Sequence, residues 1–119
     1  MTDAEDDTPH AADVRIRTEM ARIKSSDSIY RAGRRIWADA FHHAPSDIPY
    51  MWPLWLQWGA LTDWVEVKPA ETPEAEDAMC RAAVEWLAIV DDPEQHEAYF
   101  DRWLYKELGY RRPGEGRGR

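Results

Sequence analysis

The sequence predicts an all-α fold, a compact bundle of about five helices around a tryptophan-rich central one, and three observations carry that expectation. Apolar residues recur three and four positions apart in successive stretches, the spacing of one helix face. Short Ser-, Asp-, Thr- and Pro-containing segments of the kind that start helices separate those stretches. Alternation of apolar and polar residues, the mark of a half-buried strand, never persists beyond a few positions.

Met1 to about His10 reads as a disordered acidic tail and residues 111–119 (RRPGEGRGR) as a flexible basic one, which leaves 11–110 as a single helical domain. Within it a first, rather polar helix is expected from about Ala11 to Lys24, with Ile16, Met20 and Ile23 on one side. Ser25, Ser26 and Asp27 offer N-cap oxygens for a second helix reaching about His43, whose stripe is Ile29, Gly33, Ile36, Trp37, Ala40 and Phe41. Ser46 or Asp47 is placed to cap a third, with Pro49 in its first turn. Pro53 then requires either a start near Met51 or a kink, because proline lacks a backbone donor and crowds the preceding turn. From there Leu54, Trp58, Leu61 and Val65 form one stripe, and Met51 and Trp55 a second, as in a helix buried on many sides.

Thr72, Pro73, Glu74, Glu76 and Asp77 announce a fourth helix through a capping hydroxyl, a proline at the first position and acids at the positive helix end. Its apolar positions are Ala75, Met79, Ala82, Trp86 and Ile89. Asp92, Pro93 and Gln95 repeat the start signal as a capping box. The fifth helix turns Tyr99, Phe100, Trp103, Leu104 and Leu108 inward and stops at Gly109.

Charge is distributed very unevenly. Between Asp63 and Asp101 twelve acidic residues face two bases, Lys68 and Arg81, a local net of −10 in a chain whose total is −8. On the fourth helix Glu74, Asp77, Arg81 and Glu85 recur three to four apart opposite the apolar stripe; on the fifth, Glu94, Glu97 and Asp101 do the same, with Asp91 and Asp92 between the two rows. Side by side, the rows would form a broad anionic patch. Carboxylates spaced along helices can occupy a groove built for nucleic acid, and complementary fields speed docking and favour the right partner. The expected partner is therefore a larger protein with a basic surface, such as a nuclease, a toxin or an RNA-guided effector complex that a phage anti-defence inhibitor would block. Four of the seven tryptophans, Trp52, Trp55, Trp58 and Trp64, crowd into residues 52–64 and cannot all point inward, so Tyr50 and Trp52 are expected as aromatic anchors.

Two other roles compete. Arg31, Arg34 and Arg35 on the second helix, after a short turn, suit a dimeric helix-turn-helix reader of DNA, although a net negative chain is a poor counterion-releasing surface. The Trp-rich third helix could instead line a pocket for a small molecule. Opposite-signed halves also favour self-association as a homodimer.

Catalysis and cofactors are not expected. His42 and His43 are adjacent and point about 100° apart on a helix, and no H-E-x-x-H or paired Cys/His ligand set occurs. The single Cys80 sits inside an apolar pattern as an inert thiol, excludes an internal disulfide and fits a reducing compartment. The acidic N-terminus does not resemble a signal peptide, and the apolar stretch from Tyr50 to Leu61 is too short to span a bilayer, so a cytoplasmic, non-membrane location is expected.

Overall fold

A computed structural model describes residues 8–44 and 46–110, and within them the fold is all-α, with no strand. The helices are α1 (Pro9–Ala21), α2 (Ile29–His42), α3 (Met51–Val67), α4 (Thr72–Ile89) and α5 (His96–Phe100), the last continuing without a break as π-helix over Asp101–Glu107. Neighbours in sequence are neighbours in space: α1 packs on α2, α2 on α3 and α3 on α4. α4 closes the ring onto α1 and meets α2 across the middle. The C-terminal helix lies over the α3–α4 seam, where Gln57 Nε2 donates to Tyr99 Oη (3.0 Å) and that hydroxyl donates to Ala82 O (2.8 Å). α3 thus shares the centre with α4.

The starts of the helices are where the structure departs from the sequence reading. α1 begins two residues earlier, because Thr8 Oγ1 accepts from Ala11 N (3.0 Å) and Pro9 fills the first turn. These residues had been assigned to the acidic tail, whose remainder, like the basic C-terminal tail, lies outside the described residues. The cap of α2 is Ser28, whose Oγ accepts from Arg31 N (3.1 Å). Ser25 and Ser26 instead donate backwards to the carbonyls of Arg22 and Ile23, across a 3₁₀ turn at Ile23–Ser25 that ends α1. α3 starts after Pro49 with no side-chain cap, and Ser46 only closes the preceding turn through Ile48 N. Pro53 falls in its first turn, where backbone donors have no intrahelical partner to lose. Thr72 does not cap α4 either: its hydroxyl donates to Pro69 O (2.7 Å), in a 3₁₀ turn that leads into the helix. Asp92 and Gln95 do meet, but side chain to side chain (2.7 Å) beside another 3₁₀ turn. Gly109, at φ 81°, ends the last helix as expected, and Tyr110 N closes onto Leu104 O (2.7 Å).

Trp58, Trp86 and Trp103 are wholly buried and make up the bulk of the core with Ile16, Ile36, Leu54, Leu61 and Met79. Gly33 lets α2 approach closely: a Cβ there would sit 3.0 Å from Met79 Sδ and 3.1 Å from Thr62 Cγ2. Among the described residues no helix is long and apolar enough to cross a membrane.

Candidate interaction surface

Side chains of the acidic segment divide into two groups. The first group is consumed by the fold, along the seam between α4 and the C-terminal helix. Glu85 Oε1 accepts from Arg102 (2.6 Å) and from the Trp103 indole (2.9 Å). Burial alone would push the Glu85 carboxyl up, but these two donors overcome it and hold it below its ordinary value. Arg81 pairs with Asp77 (3.5 Å) and reaches Glu107 (3.9 Å). The guanidinium groups of Arg81 and Arg102 both lie over the Trp103 ring, 5.2 and 5.7 Å from its centroid. Asp77, Glu85 and Glu107 with Arg81 and Arg102 therefore clamp a buried tryptophan. Asp91 is also paired within the molecule, to Arg17 (3.0 Å), which is itself held by the buried Asp13.

The second group stands clear of that network. Asp63, Glu74, Glu94 and Glu97 are exposed and engage no cation among the described residues. Asp92 accepts only from Gln95, and Asp101 is engaged within the fold. Thus the expected continuous sheet of charge is interrupted by Arg81, one turn from Asp77 on the same helix, and by Arg102 and Arg17, which sequence spacing does not bring into view.

Aromatic residues divide in the same way. Tyr50 is part of the fold: its ring packs edge-on to Trp86 and His96 at 5.0 and 5.4 Å, and its hydroxyl receives a long hydrogen bond from Arg17 (3.4 Å). Trp52, by contrast, is 53% exposed. It begins a surface strip that crosses from α3 to α2. The Trp52 ring meets Trp55 (4.6 Å), Trp55 meets Phe41 (5.3 Å), and Phe41 stacks flat on Trp37 (5.4 Å, 9° between planes). Phe41 was expected to face inward, yet it is 47% exposed. At about 100° per residue it lies at the edge of the arc whose middle is Ile29, Ile36 and Ala40, so the helix turns it out beside Trp55. Phe41 and Trp37 are the site residues that sequence reasoning missed; the signal was that same angular drift along the stripe.

Beyond Trp37 the strip runs into a groove of about 710 Å³ along the outer side of α3. Its floor is Gly59, Ala60, Asp63 and Val67, and Leu108 and Tyr110 line it from the C-terminal end. Gly59 lets Trp37 lie close to the groove floor, since a Cβ would stand 3.1 Å from Trp37 Nε1.

The arginines proposed for DNA reading are mostly engaged. Arg34 pairs with Glu66 (2.9 Å) and Arg35 with Glu19 (2.8 Å), which leaves Arg31 as the exposed one without an ion pair among the described residues. No group of three or more His, Cys, Asp or Glu residues suited to a metal ion occurs among the described residues. Cys80 is buried, and burial pushes its thiol up against the opposing pull of Lys24. The chain matches no protein-family model, no curated protein and no solved structure.

Proposed function

We propose that this is a non-catalytic interaction protein that docks on, and occludes, a basic surface of a larger partner. A nucleic-acid-processing complex is the partner class that fits best, with a phage-type inhibitor of a nuclease or an RNA-guided effector as the biological form. The observation that carries this reading is the surface aromatic strip Trp52–Trp55–Phe41–Trp37, exposed at Trp52 and Phe41, on a molecule of net charge −8. Exposed tryptophan and phenylalanine rings supply the desolvated centre of a protein interface. The carboxylates that engage no cation among the described residues, Glu74, Glu94 and Glu97, supply a field that speeds docking on a cationic surface and repels nucleic acid. Relative to the sequence reading, the energetic weight moves from the acidic rows to the rings.

The test is affinity capture of partners from host lysate with the native chain, followed by measurement of the purified pair. Replacing Glu74, Glu94 and Glu97 by lysine is expected to slow association at least about tenfold at low salt and to flatten its salt dependence, with helicity unchanged. Association that is indifferent to both the reversal and salt would remove the electrostatic half of the reading.

A further inference from the structure

We propose that the groove on the outer side of α3 seats an arginine-bearing segment of the partner, one guanidinium lying beside Asp63. This rests on the function proposed above and gives the basic partner surface a specific point of entry.

The groove has the right walls. Gly59 and Ala60 keep its floor low, Val67 is 65% exposed in it, and Trp37 and Tyr110 flank it with aromatic faces. Its net charge is negative: Asp63, Glu66, Glu71 and Glu107 line it against Arg34 and Lys68, four acids to two bases. Nucleic acid or another phosphate-bearing ligand would meet repulsion there. A purely apolar ligand would desolvate Asp63 with nothing to pair it, a cost that buried unpaired charges always carry. A guanidinium fits both demands, because its flat face packs on rings while its edge donates two parallel hydrogen bonds to a carboxylate.

The molecule already displays that mode of contact at the groove's edge. Arg34 lies 5.2 Å from the Trp37 ring centroid while its Nη1 donates to Glu66 Oε2 at 2.9 Å, and Tyr30 Oη donates to the same oxygen. Other carboxylates of the groove are committed: Glu71 accepts from the Trp64 indole (2.7 Å), and Glu107 is within 4 Å of both Arg81 and Arg102. Asp63 is the exception, exposed beside Tyr110 with no hydrogen bond or ion pair among the described residues. An incoming arginine would complete at Asp63 the arrangement that Arg34 makes at Glu66.

The probe is a synthetic peptide of alternating arginine and glycine, with the lysine–glycine peptide of equal length and charge as its comparator, titrated into the full ¹⁵N-labelled chain at low salt. The arginine peptide is expected to shift the Trp37 and Trp64 indole signals and the Ala60 and Asp63 amides, and to bind several-fold tighter than the lysine peptide. Asp63→Asn, at an exposed and unpaired position, should fold normally by circular dichroism and weaken that binding about tenfold. Equal responses to the two peptides, or an unaltered affinity in Asp63→Asn, would overturn the groove assignment. Shifts confined to the surroundings of Glu74, Glu94 and Glu97 would also overturn it, yet would leave the wider docking function standing. No binding of either peptide anywhere on the surface would overturn both.

Discussion

The seam between α4 and the C-terminal helix and the seam between α2 and α3 are built from the same kinds of residue, yet they do opposite things. In the first, Trp103 is fully buried against two arginines and Glu85 accepts a hydrogen bond from its indole N–H, so acids, bases and ring satisfy one another. In the second, Trp52 and Phe41 stand half in water and Asp63 makes no ion pair among the described residues. Trp103 is therefore closed into the fold, whereas Trp52 and Phe41 remain accessible, and on the function proposed above they serve as a contact surface. The distinction lies in tertiary partners, since a surface row of charges contributes little to folding until a third group fixes its geometry.

Six substitutions test how far the two regions differ, and the largest effect belongs to the closed seam. Trp103→Ala removes a buried indole, the ring beneath two guanidinium groups and a donor to Glu85, and should cost about 3–5 kcal/mol in chemical denaturation. The same truncation at Trp52 should stay within about 0.5 kcal/mol, because half of that ring is already in water.

Glycines make the next comparison. Gly33→Ala drives a methyl into Met79 and Thr62 between packed helices and should cost about 1–3 kcal/mol, read as a lower melting temperature. Gly59→Ala meets only the half-buried Trp37, which can swing outward. There the helix-propensity gain of about 1 kcal/mol offsets the contact, so thermal stability should hardly move while the Trp37 signal does.

Tyr99→Phe probes the polar centre over which the C-terminal helix lies. It leaves the buried Gln57 amide and Ala82 carbonyl without their shared hydroxyl and should cost about 1–3 kcal/mol.

A pH dependence probes the same closed seam. Glu85 has a folded-state value below its ordinary 4.5, so its contribution to stability is present above about 4.5 and is lost as pH falls through the depressed value. Glu85→Gln should therefore be less stable than the native chain near neutrality and lose less on acidification; identical acid profiles would show that the clamp around Trp103 does not depend on that charge.

Much of the fold was legible because helical spacing is a local property. The stripe Ala75, Met79, Ala82 and Trp86 is buried as its intervals require, and Gly109 adopts the left-handed conformation that ends a helix. Capping was less legible: Thr8, Ser25, Ser26, Ser28 and Thr72 all carry a suitable oxygen, and only the path of the chain decides which of them accepts and which donates backwards. Of the candidate surface, crowding showed only that some ring must face outward, since one face cannot hold every ring; of the two anchors expected, Trp52 is exposed and Tyr50 is packed against Trp86 and His96. That Glu85 and Asp91 are neutralised by Arg102 and Arg17 was not legible, because those partners lie 17 and 74 positions away. Phe41 lay between the two cases, at an edge of its stripe where a neighbour decides the outcome.

The most direct measurement is partner retention by Trp52→Ala, made alongside its melting temperature. If the strip from Trp52 to Trp37 is the contact surface, binding should fall by about 2 kcal/mol or more while the melting temperature stays that of the native chain. Full retention of the partner by a normally folded Trp52→Ala chain would contradict the assignment of that strip.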